Sequence, residues 1–213
     1  MNENKDLDMT NILLLNSSPR GDASHSGKVA SELVAQLKAK AKGVGLVTRN
    51  LSSEKLPHID DAFVTGRTLE ADKRSKAQNE AVALSDKLIA ELKAADVIVI
   101  ASPMINFGVA TTLKAWFDYV LRAGATFKYT EKGPEGLVTG KKVYVVQARG
   151  GVYSQGPAKA ADFQEPYIRH LLGFIGITDV NFVLVEGVAY GPDAAAKAEK
   201  AAIDSIPELL KAA

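Results

Sequence analysis

Three short stretches of the chain carry residue types that could hold a small ligand by its charge and its flat faces. The first runs Asn16-Ser17-Ser18-Pro19-Arg20-Gly21-Asp22-Ala23-Ser24-His25-Ser26-Gly27-Lys28 and leads into a helical pattern. The first N–H groups of a helix lack internal acceptors and carry partial positive charge, so hydroxyls at Ser18, Ser24 and Ser26 beside them suit a phosphate monoester. The alternative is that Ser24 or Ser26 simply caps the helix. The second stretch is Ser102-Pro103-Met104-Ile105-Asn106-Phe107-Gly108. Its apolar residues around an Asn could pack on a flat ring while backbone groups bond the ring's edge; otherwise it is an ordinary turn whose Met104 and Phe107 join the core. The third, Gln147-Ala148-Arg149-Gly150-Gly151, ends in paired glycines that either admit close backbone approach to a ligand or serve only a tight turn.

Other chemistries are excluded or unsupported. No G-x-G-x-x-G follows the first apolar run, and no G-x-x-x-x-G-K-[ST] P-loop is present. The absence of cysteine excludes disulfides, thiolate metal sites and thiol redox chemistry, so electron transfer requires a borrowed cofactor. His25, His58 and His170 have no metal-ligand spacing; His25 falls in the first stretch, whereas His58 and His170 read as surface residues. No nucleophile elbow G-x-S-x-G is found. With 26 Lys and Arg against 25 Asp and Glu, intermixed to a net charge of +1, there is no basic stripe for nucleic acid.

The elements that position these stretches follow from hydrophobic pattern. Residues 12–15, 97–101, 143–146 and 182–185 are short, almost continuously apolar and β-rich, with a weaker run at 45–48. Continuous rather than alternating runs indicate strands covered on both faces, as in a parallel sheet. Between them, Val29, Leu33 and Leu37, and again Leu84, Leu88 and Leu92, keep helical spacing. Pro192-Asp193 opens a last helix with Ile203, Ile206 and Leu210 on one stripe. Strands alternating with helices predict a doubly wound five-stranded α/β sheet with helices on both faces, either flavodoxin-like or Rossmann-like. Residues 51–74 read as a long polar loop, and 124–140 as a β-hairpin inserted ahead of the fourth strand. The chain divides into a polar tail, 1–10, and a single domain, 11–213; the tail is wrong for a signal peptide and no apolar run reaches bilayer length, so the expectation is a soluble, cytoplasmic protein.

In open α/β sheets ligands sit at the carboxyl ends of the strands, and all three stretches fall there. Together they describe a ligand with a phosphate and a flat ring. Ser-Ser followed by Ser-x-Ser, then Met-x-Asn-Phe, then Arg-Gly-Gly, in that order, resembles the bacterial FMN-dependent NADH:azoreductases and NAD(P)H:quinone oxidoreductases. So do residues 123–142 around the expected hairpin, 172–180 and 186–192. The resemblance implies a flavodoxin-like homodimer with FMN near the dimer interface and NADH or NADPH as donor. It implies two-electron ping-pong reduction of quinones and aromatic azo compounds. By motif, Ser18, Ser24, His25 and Ser26 would surround the phosphate. Met104, Ile105, Asn106 and Phe107 would line the isoalloxazine, and Ala148, Arg149, Gly150 and Gly151 its N1–O2 edge. Tyr129 and Phe174 match positions that approach the flavin from the partner subunit, as substrate-binding residues. No side chain is required as a catalytic acid or base, because hydride transfer belongs to the cofactor.

The chain departs from the family at Ile105, often Tyr, at Ala148, often Ser, and over 152–163, which includes Tyr153 and carries a short insertion. Trp116, Phe117 and Tyr119 read as either dimer-interface or core residues. Two other functions fit the fold: a flavodoxin-type FMN carrier serving a protein partner, and a regulatory module that binds no flavin. Carriers usually present an acidic face, which this near-neutral chain lacks.

Overall fold

The computed structural model describes residues 11–40 and 43–211; the polar segment 1–10 lies outside them. Each apolar run forms a strand, as does the weaker one. In chain order the strands are β1 (Asn11–Asn16), β2 (Gly45–Asn50), β3 (Val97–Pro103), β4 (Phe127–Thr130), β5 (Gly133–Gly136), β6 (Lys142–Arg149) and β7 (Asp179–Glu186). The helices are α1 (His25–Lys40), α2 (Leu51–Glu54), α3 (Asp61–Gly66), α4 (Lys76–Ala94), α5 (Thr111–Val120), α6 (Gln164–Phe174) and α7 (Pro192–Leu209).

β1, β2, β3, β6 and β7 make one parallel sheet in the order β2-β1-β3-β6-β7. This is the doubly wound flavodoxin-like order, which decides against the Rossmann alternative. Alternate residues of the buried strands feed two cores. Leu13, Ile98, Ile100, Val143 and Val145 pack toward α4, α5 and α6. Ile12, Val97, Val99, Tyr144, Val146 and Val183 pack toward α1 and α7. Both faces are therefore apolar, which is why β3 reads as a continuous hydrophobic run. Trp116, Phe117 and Tyr119 are fully buried in the first core, so they pack the chain's own interior rather than a subunit interface. Among the described residues, no helix is long and apolar enough to cross a membrane.

Residues 51–74 differ from the expected loop. They hold α2, α3 and a 3-10 turn at Ala71–Lys73, pinned by the fully buried Leu51 and Phe63. Asp60 caps α3 by accepting from the Phe63 N–H at 2.9 Å, and the Arg74 guanidinium closes the segment by donating to the carbonyls of Gly66 and Leu69. Arg49 at the end of β2 bonds Glu91 of α4 through two nitrogens and also pairs with Glu54 of α2. Helices of one or two turns are too short to show a periodic apolar stripe, and only the Asp60 cap hints at them.

The inserted hairpin is present: β4 and β5 pair antiparallel through Thr130 and Gly133. It docks on the carboxyl end of α6, where the Val138 N–H donates to the Ile175 carbonyl at 2.8 Å. Gly136 lies flat against Gly176, and a Cβ at 136 would fall 2.1 Å from the Gly176 nitrogen. Backbone cannot yield as a flexible side chain can, so Gly136→Ala should force the hairpin off α6. The expected loss is about 1–3 kcal/mol of stability, as for overpacking elsewhere. Chemical denaturation measures it; an unchanged midpoint would show that the hairpin does not depend on this contact.

Candidate active site

The strand order reverses between β1 and β3: the chain leaves β1 for β2 on one side and then returns to β3 on the other. Loops after β1 and β3 therefore diverge, and the cleft between them is where a doubly wound sheet takes its ligand. The loop after β1 is tied down on every side. Ser17 donates its N–H and hydroxyl to the Ala101 carbonyl at 3.1 and 2.8 Å, and its own carbonyl accepts from Thr112 of α5. The Ser18 carbonyl accepts from Ser52 of α2 at 2.8 Å. Ser18, Ser24 and Ser26 are all buried.

Ser24 is the cap of α1: its Oγ accepts from the Gly27 N–H at 2.9 Å, and it lies 3.3 Å from Ser26 Oγ. Capping and anion binding are thus divided. Ser24 serves the helix, while the N–H groups of His25 and Ser26, in the first turn, have no intrahelical acceptor. Ser18 Oγ accepts from the Arg20 N–H at 3.3 Å, so its own proton points elsewhere. The His25 ring turns to Glu199 of α7 and to Arg20, leaving its backbone in the loop.

After β3 the chain makes a two-residue turn. Ile105 and Gly108 exchange N–H···O bonds at 3.0 Å each, and both central residues have positive φ, +46° at Asn106 and +70° at Phe107. That geometry suits Asn and is strained for a bulky aromatic. The turn does not bury its apolar residues: Ile105 is 41% and Phe107 48% exposed. The core-packing alternative therefore fails at Phe107. The turn thus combines a strained backbone with exposed apolar side chains at the sheet's carboxyl edge.

After β6, Gly150 and Gly151 have ordinary negative-φ or extended backbone, so no turn conformation calls for glycine at either. A Cβ at Gly150 would touch only the Ala189 side chain, at 3.4 Å. Protein packing leaves the missing side chain unexplained, whereas a flat ligand laid against this backbone would need the space. Ala148, between β3 and β7 in register, is buried, and its carbonyl accepts from the Met104 N–H at 2.8 Å, locking the second and third loops together.

The Arg149 side chain points inward, not toward the loop edge. It is 1% exposed and donates to Gln147 Oε1 at 2.6 Å and to Gln164 Oε1 at 3.3 Å, and it pairs with Asp162 at 2.8 Å and Glu186 at 3.3 Å. Only its backbone is left for a ligand. Glu186 in turn accepts from the Tyr153 and Ser154 N–H groups at 2.7 and 3.0 Å and from the Ser154 hydroxyl. Gln164 reaches β3 by donating to the Ser102 carbonyl and hydroxyl at 3.0 Å. The segment after Gly151 is thereby pulled over the site. The Tyr153 ring meets Phe107 edge-on at 6.2 Å, and the Phe163 N–H donates to the Phe107 carbonyl. Gln164 and Asp162 carry no motif in sequence; Glu186 opens the 186–192 stretch and stands directly at the end of the last strand.

Tyr129 and Phe174 are not brought to these loops. α5 and α6 run back along the sheet from its carboxyl edge, and the Lys142 N–H bonds the Asp96 carbonyl at the opposite edge. The hairpin and the end of α6 lie at that far edge, where Phe127 touches both rings, Tyr129 at 5.6 Å and Phe174 at 4.6 Å. An α-helix of this length spans about 15 Å, so one chain cannot place them beside the ligand cleft. Tyr129 is nevertheless 73% exposed. His58 and His170 are exposed, as expected.

A doubly wound sheet with a phosphate-suited helix start and a ring-suited turn at its switch point defines a flavodoxin-like protein. The chain belongs to the flavodoxin-like fold family, whose model matches residues 10–210, and within it to the group of FMN-dependent NADH:quinone oxidoreductases. It is 50% identical over 205 residues to the FMN-dependent NADH:quinone oxidoreductase of Agrobacterium fabrum, covering 96% of this chain and 100% of that one. The counterpart from Hyphomonas neptunium is 53% identical over 190 residues, 89% of this chain and 90% of the relative. Among solved structures, an azoreductase from Bacillus anthracis str. Sterne superposes with a TM-score of 0.86 at 32% identity, covering 94% and 98% of the two chains. An FMN-dependent NADH-azoreductase from Bacillus anthracis str. Ames Ancestor, solved in complex with FMN, gives 0.84 at 25% identity over 94% and 99%.

The Glu186 cluster has a consequence for acid stability. Burial opposes ionisation of Glu186, but hydrogen bonds from Ser154 and Tyr153 and the Arg149 charge outweigh it and hold the carboxyl below its ordinary 4.5. A carboxyl held lower in the folded state stabilises the protein above its unfolded value, and the gain is lost as pH falls through the folded one. Glu186→Gln should therefore lower stability near neutrality and flatten its decline in acid, read from denaturation midpoints against pH. Parallel wild-type and variant curves would rule this out.

Proposed function

We propose that the chain is a cytoplasmic FMN-dependent oxidoreductase. In this reading it takes electrons from NADH and reduces quinones by two-electron ping-pong turnover, with reductive cleavage of aromatic azo compounds as a related activity. Residues 11–213 act as one FMN-binding domain, and two copies combine to complete each site. When bound, FMN supplies the redox chemistry, accepting electrons from the nicotinamide and passing them to the quinone or azo group. The observation that carries the reading is the strained Asn106–Phe107 turn, locked by Ala148 beside a glycine that packing does not require.

Each part of the site has a physical task. The His25 and Ser26 N–H groups and the Ser18 and Ser26 hydroxyls hold the phosphate, the helix end favouring its charge. Ile105 and Phe107 offer apolar surface to the ring. Backbone groups at Gly150 and Gly151 would serve its electron-accepting edge, where N–H donors would favour developing negative charge. Tyr153 is braced beside these loops, its ring on Phe107 and its N–H on Glu186. Tyr129 and Phe174 of a second copy would close the cleft, which agrees with their position at the far edge of their own sheet and with the exposure of Tyr129.

Initial rates with NADH and a benzoquinone, and no protein partner present, test the activity. Parallel double-reciprocal lines are expected; no turnover with FMN bound would instead indicate a carrier that needs a protein acceptor. Gly150→Val should keep the fold, since the space at 150 is open, and weaken FMN binding by about 1–3 kcal/mol through overpacking. An unaltered FMN titration would contradict the close approach. Mixing Gly150→Val with Tyr129→Ala subunits should restore activity beyond the sum of the two, because a mixed dimer holds one intact site. Strict additivity would contradict the shared site.

A further inference from the structure

We infer that Arg20 is a further phosphate-binding residue of this site, and that Glu199 of α7 holds it in place through the His25 ring; the inference rests on the FMN reading above. Arg20 lies between Pro19 and the 3-10 turn Gly21–Ala23, just ahead of α1. Its Nη1 is 3.2 Å from His25 Nε2, and His25 Nδ1 makes a short contact with Glu199 Oε1. A guanidinium can only donate, so Nε2 must accept with its lone pair. The ring proton then sits on Nδ1 and is donated to the Glu199 carboxylate. With that tautomer the contacts run in one direction, from Arg20 through the His25 ring to Glu199.

This arrangement steers a cation without neutralising it. Arg20 makes no ion pair among the described residues, and His25 occupies one of its five N–H donors. Arg20 belongs to the loop that leads into the free N–H groups of α1. An exposed arginine otherwise loses rotamer freedom when ordered, so holding it in advance favours an anion that arrives later. Asp22 on the loop and Lys28 and Glu32 on α1 line a cleft of about 490 Å³ that Arg20 does not border. Lys28 Nζ lies 3.9 Å from Glu199 and takes up part of that carboxylate's charge. The ligand this favours is a phosphate monoester dianion, whose oxygens match a guanidinium and a helix start together. His25 keeps its backbone N–H for the phosphate while its ring acts as a positioning group, and Arg20 adds a side-chain contact.

Titrating apoprotein with FMN and with riboflavin, followed by flavin fluorescence, separates this role from general damage. Arg20→Gln should weaken FMN on the order of tenfold and leave riboflavin unchanged, with Arg20→Lys recovering part of the loss. Glu199→Ala, on the outer part of α7, should weaken FMN by a smaller factor, again without affecting riboflavin. Unchanged FMN affinity in Arg20→Gln, or equal weakening of FMN and riboflavin, would overturn the inference while leaving the FMN reading intact. Failure of the unmutated apoprotein to bind FMN would overturn both.

Discussion

The structure depends on the point at which a parallel sheet reverses its direction of growth. β1 has neighbours on both sides, β2 and β3, and the crossovers to them lie on opposite faces. Their loops must part at the carboxyl edge, and a doubly wound sheet takes its ligand in the gap between them. Everything that bears on ligand binding answers to that gap: the buried serines and helix start on one lip, the Asn106–Phe107 turn on the other, and the Gly150-Gly151 backbone beside it. The two apolar cores above and below make the sheet rigid enough to hold these pieces in fixed relation.

Rigidity at the lips comes from polar contacts rather than apolar packing. Arg149 has no exposed surface to offer, and its cost of burial is met by Gln147, Gln164, Asp162 and Glu186 together. A buried charge cluster of this kind contributes little net stability, because desolvation offsets attraction. Its effect is geometric. It joins β3, β6, β7 and the start of α6 at one edge and fixes the segment that carries Tyr153 against Phe107. The Glu199–His25–Arg20 chain does the same for the opposite lip from the last helix. Residues far apart in sequence thus preorganise both halves of the site.

The elements that announced themselves in the sequence were those whose pattern is set by burial on both faces or along one stripe. β1, β3, β6 and β7 were visible as apolar runs, and α1, α4 and α7 as spaced leucines, valines and isoleucines. The hairpin's place was visible, but Gly133–Gly136, turn-like in composition, forms its second strand and not its turn. What was hidden was set by contacts distant in sequence. α2 and α3 are held by single buried residues, Leu51 and Phe63, and by Arg49 and Arg74, none of which makes a periodic pattern. Trp116, Phe117 and Tyr119 fit an interface as well as a core until neighbours are known. At the site, residue type pointed to three loops but not to what the side chains in them do: Ser24 caps, Arg149 braces, and the His25 ring faces α7. Asn106 and Phe107 could be named from sequence, but not their positive φ, which depends on the closed Ile105–Gly108 bridge.

The central claim is that one phosphate-bearing flavin is held by three strand-end loops at the switch point. Amide hydrogen exchange of the apoprotein, with and without FMN, tests it most directly, because exchange reports local opening residue by residue. The account predicts slowed exchange in three separate segments, 18–27, 104–108 and 150–153, at the same FMN concentration. Protection that spared these segments would contradict it.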